Sequence, residues 1–224
     1  MSTDPPAAAS SRRGPYEPGH VGRTVRDFLL PLQKGYLKDE AWTVARLAQL
    51  RRGAGKAPEE VPELFGLTGT EKLYTGEKWE WDREHAPTAV HLAVTLYALH
   101  QQSQRAHPMN VAGHGLGGAV RALMPPGEID EPIRRRFVRT AGATSAGVLA
   151  YRLRELVLLL RRAGQPLDYV RLADQIERAL DPGRRLRVRQ EWGRDFHTWR
   201  PPKNTDNAPP SDDGGTPATD QDTE

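Results

Sequence analysis

The chain has 224 residues, seven histidines and no cysteine, which excludes disulfides, thiolate-bound zinc, iron–sulfur clusters and thiol catalysis. Its formal net charge is only +3, but the charge is unevenly placed. Residues 203–224 hold six acids and one lysine, whereas residues 134–202 hold 16 arginines, no lysine and seven acids.

Residues 1–19 are rich in Ala, Ser and Pro and contain no apolar run long enough for a signal peptide or a membrane span. They read as a disordered N-terminal segment of a cytoplasmic protein with no membrane partner. Residues 203–224 contain no large apolar side chain and read as a disordered acidic tail. The body between them carries helical periodicity almost throughout.

"KDEAWTVARLAQLRRG" (38–53) reads as a helix with Asp39 as its N-cap and Arg51, Arg52 and Gly53 at its C-terminal end. Residues 66–82 read as a long loop, with Glu77, Glu80, Asp82 and Glu84 making it mildly acidic at a spacing that fits no calcium loop. "APTAVHLAVTLYALHQQSQ" (86–104) begins with Pro87 in its first turn and is the most apolar helix of the N-terminal half. "IDEPIRRRFVRTA" (129–141) is capped by Asp130, with Ile133, Phe137 and Ala141 on one stripe. "TSAGVLAYRLRELVLLLRRAG" (144–164) aligns Leu149, Leu153, Leu156 and Leu160 and stops at Gly164. "LDYVRLADQIERAL" (167–180) is capped by Asp168 and buries Tyr169, Leu172, Ile176 and Leu180. A basic segment over 184–199 follows, with Leu186, Trp192, Phe196 and Trp199 as candidate core residues. The fold class is all-α: a bundle of about eight or nine helices, with an N-terminal lobe at 20–125 and an Arg-rich C-terminal lobe at 126–202.

Gly113, Gly115 and Gly118 in "VAGHGLGGAV" match G-x-G-x-x-G literally. A dinucleotide site needs a buried strand before those glycines and a βαβ unit around them, and neither pattern exists here. The match reads as a loop feeding a short helix whose small residues let another helix approach closely. "GAGK" (53–56) lacks the upstream glycine and the following Ser/Thr of a phosphate loop, and "HGLGG" has no accompanying nucleophile elbow. The histidines form no H-E-x-x-H and no i,i+4 pair, so the sequence offers no metal site, no cofactor and no catalytic set.

Arginine is the chemistry that remains. Its planar fork of donors matches phosphate oxygens. In helix 129–141, Arg135, Arg136 and Arg139 fall on the side away from Ile133 and Phe137, beside Arg134. Arg152 and Arg154 flank the leucine stripe of the next helix; Arg184, Arg185, Arg187 and Arg189 add a further cluster, and Arg51 and Arg52 are the one dense basic pair of the N-terminal half. This distribution predicts a surface that follows a phosphate backbone without reading bases. Trp192, Phe196 and Trp199 are better read as a core stripe than as a base-stacking platform.

"LAQLRRG" (47–53), "AVHLAVTLYALHQQS" (89–103), "GLGGAVRAL" (115–123), "IRRRFVRT" (133–140), "LRELVLLLRRAGQPLDYVRLADQI" (153–176) and "WGRDF" (192–196) occur in that order. Over residues 24–197 this set resembles the CasB family, the small subunit of the type I-E CRISPR surveillance complex, Cascade. The resemblance implies a non-enzymatic helical subunit in antiviral defence. It would pair with a second copy of itself beside the crRNA-carrying backbone subunits and the large subunit, and help hold crRNA, target DNA and R-loop strands. Carried over by position, the candidate contacts are Arg51, Arg52, Arg134, Arg135, Arg136, Arg139, Arg152 and Arg154. Gly115 departs from the family pattern, where Ser is expected. The alternative reading is a helix-turn-helix regulator built on 167–180 and 184–199, which would need base-reading side chains on its second helix.

Overall fold

The computed structural model describes residues 16–74 and 84–201. Residues 1–15, the tail at 203–224 and the acidic loop positions Glu77, Glu80 and Asp82 lie outside the described residues. Among those described are eight α-helices: α1 His20–Leu37, α2 Ala41–Leu50, α3 Ala86–His100, α4 Leu116–Arg121, α5 Glu131–Ala141, α6 Ala146–Arg162, α7 Tyr169–Leu180 and α8 Arg185–Thr198. Short 3-10 turns follow α2, and the described residues contain no strand, only an isolated bridge between Asn110 and Leu167.

Helix α3 is the axis of the bundle. Every residue from Ala89 to His100 is buried, and α1, α2, α6 and α7 all pack on it. A helix apolar on all sides must be encased, because no face can be left to water without losing the burial of several large side chains. Elements from both sides of 125–130 therefore contribute to one apolar core, from Val25 and Leu29 of α1 to Leu153 of α6 and Ile176 of α7.

The sequence reading assigns no helix to 20–37, yet α1 is the longest in the described chain. Pro31 lies inside it. An interior proline costs about 3 kcal/mol, because it removes one hydrogen bond and crowds the preceding turn. Against that, Val21, Val25, Leu29, Leu32 and Tyr36 are all buried, and each contributes about 1.5–3 kcal/mol. Burial wins, and Pro31 sits on the exposed face.

Asp39 does not cap α2. It takes a left-handed φ of 60° and its amide bonds the Tyr36 carbonyl, so it terminates α1 instead. Glu40 holds the N-cap position, without a side-chain cap bond. The other three caps are as read: Asp130, Ser145 and Asp168 accept from the amides of Ile133, Val148 and Arg171. Gly164 has φ 62° just beyond α6, where a left-handed residue ends a helix.

Two close approaches lock the elements. Tyr16 Oη, Gly19 N and Gly22 N donate to the buried Asp174 carboxylate of α7 at 2.5, 2.8 and 2.7 Å. Tyr16 and Gly19 lie within the segment 1–19 that the sequence treats as disordered. At the other end, α4 lies directly on α8, and Gly117 meets its backbone: a Cβ there would be 2.6 Å from the Phe196 amide nitrogen. The small-residue reading of "GLGGAV" is thereby accounted for. Gly115 also makes room: a Cβ would lie 2.7 Å from the Arg171 guanidinium, which pairs with Asp195 at 2.8 Å.

Leu186 is 64% exposed, contrary to its reading as core. Val188, Trp192 and Phe196 form the buried stripe of α8 at four-residue spacing, and Leu186 is two residues out of that register, on the opposite side. Trp192 Nε1 donates to Gln175 Oε1 at 2.8 Å, and Phe196 stacks on Phe137 of α5 with ring centroids 5.3 Å apart. Both rings are committed to the interior.

Candidate nucleic-acid interface

The chain leaves α2 through the turn Arg51–Gly53. Gly53 is buried where a Cβ would meet Leu64 Cδ1 at 2.6 Å and Thr95 Cγ2 at 2.9 Å, so the turn sits tightly on α3. Gly55 follows at φ 84°, and Arg154 of α6 crosses over it. A Cβ on Gly55 would lie 3.0 Å from Arg154 Cβ and 3.2 Å from its Cγ. Absence of a side chain at 55 thus lets the Arg154 stem cross the turn.

The outcome is an open cavity of about 410 Å³ lined by Arg51, Arg52, Lys56 and Arg154, with Tyr151, Leu99, Ala54 and Gly55. Four cations and no acid line it. None of the four has an ion-pair or side-chain hydrogen-bond partner among the described residues. Like charges so grouped repel one another, and a polyanion relieves that repulsion.

The second basic region is the outer face of α5. Arg134, Arg135, Arg136 and Arg139 are all exposed, because Phe137 faces inward and fixes the helix rotation. They differ in availability. Arg134 is held by Glu131 through two bonds of 2.7 and 2.9 Å, which hold the Glu131 carboxyl below its ordinary range. Arg135 approaches the same carboxylate only to 3.9 Å, and Arg136 reaches the Pro132 carbonyl at 3.4 Å. Arg139 has no ion pair among the described residues.

The 184–189 cluster divides by role. Arg185 donates to the carbonyls of Ala179, Leu180 and Thr144 at 2.8, 3.1 and 3.2 Å, closing the C-terminal end of α7 and joining it to the α5–α6 corner. Arg189 donates to the Ala141 carbonyl at 2.6 Å, at the end of α5. Arg184 pairs with Asp181 at 2.6 Å, and Arg187 remains exposed. In α6, Arg152 pairs with Glu155 at 3.4 Å and lies over the Tyr151 ring at 5.6 Å.

Arg51, Arg52 and Arg154 therefore share one cavity, while the α5 arginines lie elsewhere, near the start of α6. Lys56 and Tyr151 escaped the sequence reading. "GAGK" is no phosphate loop, yet its lysine joins the cations, and nothing in the local sequence shows that α6 lies across it.

No group of three or more metal-ligating side chains occurs among the described residues, and no helix there is long and apolar enough to cross a membrane. The molecule is an all-α bundle with an arginine-lined surface. The model of the family "CRISPR-associated protein Cse2" matches residues 46–197, and the chain belongs to that family. A crystal structure of CasB from Thermobifida fusca is similar at 46% identity with a TM-score of 0.73, covering 81% of this chain and 99% of that one. A chain of a CRISPR RNA-guided surveillance complex shares the fold at 22% identity with a TM-score of 0.59, over 80% of this chain and 94% of that one. No curated protein matches.

Proposed function

We propose that this Cse2-family chain is the non-catalytic small subunit of a type I-E CRISPR surveillance complex in the cytoplasm. In that role it sits with a second copy beside the backbone and large subunits, and holds crRNA, target DNA and R-loop strands by phosphate contacts. Family membership and the likeness to CasB support the subunit role. The nucleic-acid role rests on the cavity where Arg51, Arg52, Lys56 and Arg154 converge without a carboxylate. In such machines base pairing supplies sequence and protein supplies backbone contacts.

The helix-turn-helix reading loses support at its second helix. Arg184 and Arg185, at the end that would enter a major groove, are taken up by Asp181 and by three carbonyls.

The test is the R51A/R52A/R154A variant in assembled complex, with target DNA retention measured over a salt series. Retention is expected to fall on every sequence. Each lost phosphate contact should flatten the log–log salt slope by about 0.9 on duplex or about 0.7 on single strand. Unchanged retention and slope would remove the cavity from the binding surface.

A further inference from the structure

The cavity carries one feature that a phosphate clamp does not need. Tyr151 lines it with 52% of its surface exposed, although it sits on α6 among the leucines that build the core. Arg152 lies over its ring at 5.6 Å, a cation–π contact that steadies the side chain beside the opening. Arg152 is itself anchored by Glu155 at 3.4 Å. An exposed ring beside Arg51, Arg52, Lys56 and Arg154 puts a stacking surface and a phosphate-binding surface in one concavity. Its volume, about 410 Å³, is that of a small-molecule pocket rather than a groove for a double helix.

We infer that this cavity is a single-strand subsite: it takes one unpaired nucleotide, with the phosphate among Arg51, Arg52 and Arg154 and the base on the Tyr151 ring. A duplex cannot use the ring, because its bases are already stacked and their faces are closed. A single strand can, and every base has a face to offer, so the preference is for strandedness and not for sequence. This inference rests on the proposed nucleic-acid role and adds to it the kind of strand the cavity accepts. Gly55 is a positioning residue in the same site. Its missing side chain lets Arg154 lie across the turn, so Gly55→Ala keeps every charge while displacing that guanidinium.

The experiment measures binding of a fluorescent oligothymidine and of a duplex of equal length to the full chain, with thermal melts confirming the fold. Tyr151→Ala should weaken oligothymidine binding about tenfold, as loss of one base–aromatic stack does, and leave duplex binding unchanged. Tyr151→Phe should bind as wild type, because the ring and not the hydroxyl stacks. Gly55→Ala should weaken oligothymidine binding although net charge is constant. The inference is overturned if Tyr151→Ala binds oligothymidine as wild type, or loses both ligands equally. R51A/R52A/R154A separates the two levels: loss of both ligands there, with Tyr151→Ala silent, sinks only the single-strand subsite. No loss in any variant sinks the nucleic-acid reading of the cavity as well.

Discussion

Gly117 of α4 and Trp192 of α8 meet backbone to backbone: a Cβ on Gly117 would run into the Trp192 carbonyl oxygen. Main-chain atoms inside two helices cannot swing aside, so α4 and α8 would have to separate. Gly117→Ala gains about 0.5–1 kcal/mol of helix propensity, but overpacking against a fixed wall costs about 1–3 kcal/mol. We expect net destabilisation in urea unfolding. Gly193→Ala is the control: it lies in the middle of α8 with nothing within 4 Å of its virtual Cβ, so it should stabilise. Equal effects of the two substitutions would show that α4 is not seated on α8.

Asp174 anchors the start of the fold. Its carboxylate collects Tyr16 Oη and the amides of Gly19 and Gly22, and replacing it by Ala leaves the buried Gly22 amide without its acceptor. The expected cost is about 1–3 kcal/mol, with faster hydrogen exchange at Gly22. Removing residues 1–19 should also lower Tm, since it strips away Tyr16 and Gly19. Removing only 1–15 should not. Equal melting temperatures for the two truncations would refute the anchor.

Burial pushes the imidazoles of His91 and His100 down to a pKa of about 4. The unfolded chain takes up these protons near pH 6.5, whereas the folded chain resists until about pH 4. Stability is thus fully present above pH 6.5 and falls with pH through that window, by about 1.4 kcal/mol per pH unit for each histidine. Imidazole chemical shifts provide the check. Titration of either ring near 6.5 in the folded protein would contradict this.

On α5, Arg135, Arg136 and Arg139 are exposed and weakly held, whereas Arg134 is occupied by Glu131. Replacing the three by Ala should leave the fold intact or raise its stability by a few tenths of a kcal/mol, about the size of like-charge helix repulsions. Retention of DNA by the complex should weaken on every sequence, with the salt slope flattened by about two to three units if all three reach duplex phosphates. Phe137→Asp is the folding control, because it places an unpaired charge in the core. Wild-type retention and slope in the triple variant would make this face plain solvated surface.

Local physics made much of this legible from the residues alone. Asp130, Ser145 and Asp168 cap helices because a side-chain oxygen reaches an amide two or three residues on, a relation written within a few positions. The leucines of α6 and the outward face of α5 follow from a period of 3.6. So does the exposure of Arg135, Arg136 and Arg139. Family membership, too, was readable in the ordered strings of sequence.

Other features are decided by competition between distant parts. Pro31 argues locally against a helix, and only the core that Leu29 and Leu32 enter outweighs it. Arg185 and Arg189 look like free charges until α8 is laid against the carbonyls of Thr144 and Ala141. Arg52 and Arg154, far apart in the chain, share a cavity only because α2 and α6 both pack on α3 and Gly55 leaves a gap for the arginine to cross. Periodicity shows which side of a helix faces inward; it carries no information on which helix lies beside it, and the cations that meet are set by that neighbour.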